Sequence, residues 1–178
     1  MSDQLNTYQQ IILTQPILQD SHDFLELVKR SRDFHASWVA PPSDESEYQK
    51  YLDRISTDNQ CGLFLRLKST HQIIAVFNIS EIVRGSFQSA YLGFYVFHGY
   101  QKQGLMTLGL QEVLQYAFTK LNLHRLEANI QPSNLPSIAL VKKCGFKHEG
   151  FSERYLFIDG VWKDHERFAI TKESFLSK

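Results

Sequence analysis

"YLGFYVFHGYQKQGLMTLGLQEVLQYAF", residues 91–118, joins an apolar run to a segment of helical spacing through a short polar bend. The run "AYLGFYVF" (90–97) predicts a strand, and Gly93 in its middle predicts a bulge or a close approach by another group. Met106, Leu110, Val113, Leu114, Ala117 and Leu121 share one face, which predicts a helix over 104–121. The chain therefore leaves a strand and starts a helix at Tyr100–Met106. The first turn of a helix has unpaired N–H groups and a partial positive charge, which suit a phosphate. Gly104 removes the side chain that would block a close approach, and Gln101, Lys102 and Gln103 add donors and one charge. A phosphate or pyrophosphate cradle and a plain strand–helix turn both fit these residues. Neither the G-x-x-x-x-G-K-[ST] nor the G-x-G-x-x-G fingerprint is present.

Outward from the junction, "YQQIILTQPI" (8–17) reads as a strand closed by a proline. "DSHDFLELVKRSRDFHASW" (20–38) reads as a helix capped by Asp20 or Ser21. After Pro41-Pro42 a polar helix restarts at Ser43, with Tyr48, Tyr51, Leu52 and Ile55 as its apolar stripe. Residues 61–69 and 72–83 read as strands around a Thr70-His71 turn. "HRLEANIQP" (124–132) alternates as a strand, with Leu126, Ala128 and Ile130 on one face and Arg125, Glu127, Asn129 and Gln131 on the other. "NLPSIALVKKCGF" is a short helix capped by Asn134 and stopped at Gly145. Residues 148–171 read as a hairpin turning at Asp159-Gly160. This order predicts an α+β fold with a mostly antiparallel seven-stranded sheet and about four helices. The strand–helix–strand unit 90–131 should set two parallel strands side by side at its centre.

The 178 residues fit one domain, and 43% hydrophobic content permits a sizeable core. Lys plus Arg equals Asp plus Glu at 19 each, which argues against direct nucleic-acid binding or a membrane-surface role. Two cysteines, Cys61 and Cys144, point to a reducing cytoplasm rather than a disulfide scaffold, and Cys144 reads as core filler. No ligand-spaced Cys or His cluster appears, so no metal is expected. His98, His124, His148 and His165 share no common spacing and read as structural. The polar start "MSDQLNTYQQ" has no signal-peptide core, and no apolar stretch approaches a membrane span.

"QKQGLM" (101–106) resembles the Q/R-x-x-G-x-G/A signature of the Gcn5-related N-acetyltransferases (GNAT), with Met106 where the broad family has Gly or Ala. That departure is shared by the RimJ and RimL kind, the ribosomal-protein alanine N-acetyltransferases. "NISEIVRGSFQSAYLGFYV", "NLPSIALVKKCGFKHEGF" and "RYLFIDGVWKDHERFAIT" resemble further runs of that branch. The likeness covers about residues 9–172, one acetyltransferase domain with the GNAT fold. It implies acetyl-CoA as cosubstrate, with the pyrophosphate held at Gln101, Lys102, Gln103, Gly104, Leu105 and Met106. It further implies an acceptor that is a protein N terminus, by likeness the alanine of a ribosomal protein such as small-subunit protein S5. The enzyme would be cytoplasmic and a monomer or homodimer.

Acetyl transfer from a thioester needs positioning, an oxyanion donor and two proton transfers. An α-amino group has a pKa near 8 and lysine near 10.4. At neutral pH the N terminus is thus roughly a few hundred-fold richer in nucleophile, and a weak base suffices, directly or through water. Glu127 matches the base of a related alanine acetyltransferase, and a solvated carboxylate beside Arg125 also accounts for it. The tyrosine that many members use as proton donor falls at Val141. Ser137, one turn earlier, is the implied donor, or else only bonds the helix start. Asn134 resembles the contact to the pantetheine arm, and a plain N-cap also explains it. Backbone N–H groups of Phe94, Tyr95 and Val96 are implied to hold the acyl oxygen if Gly93 marks a splay. Trp38 and the "APP" after it resemble the substrate-side helix pair. Two alternatives stay open: a polyamine or drug acetyltransferase, its carboxylates drawn from "SDESEYQKYLD" (43–53), and a non-catalytic acetyl-CoA-binding ribosome-assembly module.

Overall fold

A computed structural model describes residues 10–35, 38–158 and 160–177. Seven strands run in the order β1-β2-β3-β4-β5-β7-β6. They are β1 Ile11–Thr14, β2 Cys61–Leu67, β3 Ile73–Val83, β4 Ser89–Val96, β5 Arg125–Ile130, β6 Lys147–Ile158 and β7 Val161–Thr171. All neighbours are antiparallel except β4 and β5. That is the predicted parallel pair, produced by the crossover helix between them. Four helices have ten residues or more: α1 Ser21–Arg30, α3 Glu45–Ile55, α4 Leu105–Thr119 and α5 Leu135–Cys144. Among the described residues two short ones add to the expected set, α2 Arg32–His35 and α6 Lys172–Leu176, besides a 3-10 turn at Leu18–Asp20.

Two cores lie on opposite faces of the sheet. On one face α4 and α5 pack Leu110, Val113, Leu114, Ala117 and Val141 onto Leu65, Phe77, Leu126 and Ala128, all fully or almost fully buried. A Cβ at Gly109 would lie 2.5 Å from Leu65 Cδ2 and 3.2 Å from Phe77, so a glycine there lets α4 approach the sheet closely. On the other face α1 and α3 bury Phe24, Tyr48 and Tyr51 against Phe64, Ile73, Val76 and Phe97. That second core contains no residue of β5, β6 or β7, so this face opens beside β4.

Four expectations are corrected. Helix 20–38 breaks at the buried Ser31, whose Oγ accepts from His98 N at 2.9 Å. Anchoring the loop after β4 draws this serine out of the helix. Asp20 stands before α1 without bonding its first turn. Its carboxylate accepts instead from Ile17 N at 3.1 Å and pairs with Arg66 at 2.6 Å. Gly93 forms no bulge, for it pairs regularly with Asn78. The register shift lies in β3 between Ser80 and Val83, where Glu81 is left-handed at φ 50°. The polar helix starts two residues after Ser43, capped by Asp44 Oδ1, which accepts from Glu47 N at 2.8 Å. Tyr8, Gln9 and Asp159 of the predicted first strand and hairpin turn lie outside the described residues.

Candidate active site

The bend predicted to hold a phosphate has a backbone that its composition does not reveal. Gly99, Lys102 and Gly104 are left-handed, with φ of 95°, 62° and 78°. Alternation of hand along a loop turns successive N–H groups toward one point, an anion-binding concavity. Gly104 is the N-cap of α4, whose first N–H groups have no acceptor within the helix. A Cβ at Gly104 would meet nothing within 4 Å, so the space over this turn is open. Lys102 is the one non-glycine of the three, held left-handed at a cost that such turns carry at binding sites. Gln103 Nε2 donates to Gly99 O at 2.7 Å and closes the loop on itself.

Beyond the bend the sheet parts. The β4–β5 ladder holds only at Ser89–Arg125, Ala90–Leu126 and Tyr91–Glu127. Phe97 N donates to Ile74 O at 3.0 Å across to β3. Antiparallel alternation then turns Tyr95 and Gly93 toward β3, and the N–H and C=O of Val96 and Phe94 toward the gap. A cavity of about 620 Å³ fills that gap. Of the predicted site residues Phe94, Tyr95, Val96, Gln101, Lys102, Met106, Asn134 and Ser137 line it. Gln103, Gly104, Leu105 and Glu127 do not. Leu105 is buried in the core, so only its backbone can serve the turn. Asn134 Oδ1 accepts from Ser137 N at 3.3 Å, which leaves the Ser137 hydroxyl out of the cap. Val141 is wholly buried, facing the core rather than the cavity.

Glu127 pairs with Tyr91 at the last rung before the sheet parts, about 7 Å along β5 from Asn129. Its Oε1 accepts from Arg125 Nε at 2.9 Å, and Arg125 also binds Glu149 through both terminal nitrogens. This guanidinium holds the Glu149 carboxyl below its usual range. The Tyr155 hydroxyl meets Tyr91 at 3.5 Å, and that bond, with burial, pushes Tyr91 up to about 12.

Two histidines on the wall of the cavity carried no sequence signal. His35 is 4% exposed and lies 2.9 Å from Val96 O. Because a carbonyl only accepts, Nε2 carries the proton and Nδ1 is a buried acceptor without a partner. His165 is 2% exposed, with Nδ1 3.0 Å from Lys163 O, so its Nε2 is the basic nitrogen. Burial holds both imidazoles below their ordinary value, neutral at pH 7. Gln101 Oε1 and Asn129 Oδ1, also in the lining, are buried without partners. Orphaned acceptors on a polar cavity wall mark places where a ligand completes the bonding. Among the described residues no group of three or more His, Cys, Asp or Glu could hold a metal, and no helix is long and apolar enough to cross a membrane.

The parallel pair thus parts to leave a cleft between two strands, with a turn of left-handed residues at its edge. The family model described as "Acetyltransferase (GNAT) domain" matches residues 10–147, and the chain belongs to that family of N-acetyltransferases, which take acetyl-CoA as acyl donor. It is 30% identical to the probable N-acetyltransferase YjcK of Bacillus subtilis, over 85% of this chain and 88% of that protein. It is 41% identical to the [ribosomal protein uS5]-alanine N-acetyltransferase of Escherichia coli, over 56% of this chain and 52% of that one. A more distant relative is the spermidine N(1)-acetyltransferase of Vibrio cholerae, 24% identical over 87% of this chain and 90% of that protein. Among solved structures, Mycobacterium smegmatis RimJ in complex with CoA-disulfide superposes with a TM-score of 0.80 at 25% identity, covering 92% of this chain and 82% of that one.

Proposed function

We propose that this protein acetylates the free α-amino group of a polypeptide, by likeness the N-terminal alanine of a ribosomal protein such as uS5. The observation that carries this reading is a second cavity, a vestibule of about 1560 Å³ that shares His35, Trp38, Val39, Gln131 and Ile158 with the wall of the cleft, room for several residues of an extended chain. The 41% likeness to a uS5-alanine enzyme supports the particular target.

The residues present fit acetyl-CoA. The left-handed turn Gly99–Gly104 and the first N–H groups of α4 would hold the pyrophosphate, with Lys102 adding charge. Asn134 and Gln101 would meet the arm. The cosubstrate supplies an activated acetyl group. The N–H of Phe94 or Val96, turned into the gap, would donate to the acyl oxygen. Ser137 Oγ would give a proton to the departing sulfur. The amine's proton would leave through water to Glu127, which stands off the cavity wall, or directly to His165 Nε2, which lies on it. Replacing Glu127 by Gln and, separately, His165 by Gln divides these routes. The true acceptor's loss should lower kcat by about 10², while the other variant keeps it.

A polyamine acceptor is less well served. Of the four carboxylates in 43–53, Asp44 caps α3, Glu45 accepts from Ser21 and Asp53 from Gln49, and none of these lines the vestibule; Glu47 lines it but already accepts from Ser43 N and Oγ. The deciding experiment is mass spectrometry of a uS5 N-terminal peptide incubated with enzyme and acetyl-CoA, beside spermidine and an N-blocked peptide. One acetyl group added only to the free N terminus is expected. Preferential acetylation of spermidine would overturn the reading. No transfer, with acetyl-CoA still bound, would do so in favour of a non-catalytic module.

A further inference from the structure

The vestibule wall is charged in a way the whole chain is not. Lys29 of α1, Arg32 of α2, Lys50 and Arg54 of α3 and Lys163 of β7 all line it. Only two carboxylates, Glu26 and Glu47, share the described lining, although the whole chain is neutral at 19 charges of each sign. Glu47 is already engaged, accepting from Ser43 N and Oγ at 2.8 and 2.9 Å. Among the described residues none of the five cations forms an ion pair. On α3 the spacing of Glu47, Lys50, Tyr51 and Arg54 puts them on one face, so the helix turns a mainly basic side to the cavity. None of Gln101–Met106 lines this space, so these cations are not part of the phosphate turn. At the border with the cleft sits His35, 4% exposed, with its Nδ1 acceptor unpartnered and able to take a backbone N–H.

Resting on the N-terminal acetylation reading, we propose that the vestibule selects a polypeptide with acidic side chains just behind its free N terminus. A concave wall of one sign concentrates ligands of the opposite sign and disfavours like-charged ones. Five cations drawn from three helices and a strand surround the path that such a chain would take out of the cleft.

The test uses three fluorescent peptides with a free N-terminal alanine, differing only in whether positions three to six are Glu, Gln or Lys. Turnover is measured with acetyl-CoA, and binding by anisotropy with CoA present. The Glu peptide should exceed the Lys peptide by about tenfold or more in both readouts at low salt, and by far less near 0.5 M salt. The doubly substituted K50E/R54E protein, altered at two exposed positions, should reverse that order. Equal turnover and binding of all three peptides, or preference for Lys, would sink the proposal while leaving N-terminal acetylation in place. Selective binding of the Glu peptide without turnover would uphold the vestibule and sink the acetylation reading instead.

Discussion

At the mouth proposed for the donor, the left-handed turn is built within six consecutive residues, Gly99 to Gly104. At the mouth proposed for the acceptor, the wall is gathered from α1, α2, α3, the loop after β5, β6 and β7, and its cations stand up to 134 positions apart, from Lys29 to Lys163. The first is a local device. Its glycine and its helix start do the same work in any chain that bends there. The second exists only because two helices cover half of one sheet face and leave the other half open. A substitution at the donor mouth should therefore act on cosubstrate handling alone, whereas acceptor recognition should tolerate loss of any one contributor.

The sharpest break of that contrast is Ser137→Ala. If the hydroxyl delivers a proton, kcat should fall about 10² or more while KM for acetyl-CoA stays within about twofold. Because Asn134 caps through the Ser137 backbone N–H, this change should leave thermal stability in place. An unchanged kcat would return Ser137 to a purely structural part. Gly109→Ala tests the scaffold beneath both mouths. Its Cβ would sit 2.5 Å from Leu65 Cδ2, and overpacking of this kind costs about 1–3 kcal/mol, read as a lower urea midpoint. Gly104→Val adds a branched side chain at φ 78° above open space. It should raise KM for acetyl-CoA by about tenfold and cost about 1–2 kcal/mol of backbone strain, without changing peptide preference. A shift in peptide preference would show that the two mouths are coupled.

The smallest effect is in pH. Burial lowers His35 and His165 below the ordinary 6.5. The unfolded chain then binds more protons than the folded one between the folded values and 6.5, so stability rises with pH across that window. The contribution is full above about 6.5 and is lost as pH falls through the folded values. His35→Gln, which keeps a donor for Val96 O, should flatten the change in urea midpoint between pH 7.5 and 5.5. An unaltered slope would mean that His35 stays accessible to protons.

The split between β4 and β5 explains where the sequence reading succeeded and where it stopped. Alternation along β5 correctly put Leu126, Ala128 and Ile130 inside, because burial follows the period of two. It also put Glu127 and Asn129 on one face, but only the length of the ladder decides that Asn129 reaches the cleft and Glu127 does not line it. From the sequence Gly93 reads as a bulge or a close approach by another group; it pairs in register two residues past the last rung of the parallel ladder, and the irregularity belongs to β3. His165 has no spacing partner in the sequence, since its neighbours in space, Ser152 and Tyr155, come from β6.

From the sequence alone came the element order, the parallel crossover, the caps at Asn134 and Gly145, and the glycine turn before α4. Each rests on residues within a few positions of one another, where backbone dihedrals and side-chain period act directly. The tertiary structure alone decided the parting of β4 from β5, the basic face that α3 turns inward, the proton positions on His35 and His165, and the left-handed Lys102. These depend on which segments meet after folding, and burial, charge and hydrogen-bond partners are properties of that meeting rather than of any one stretch of chain.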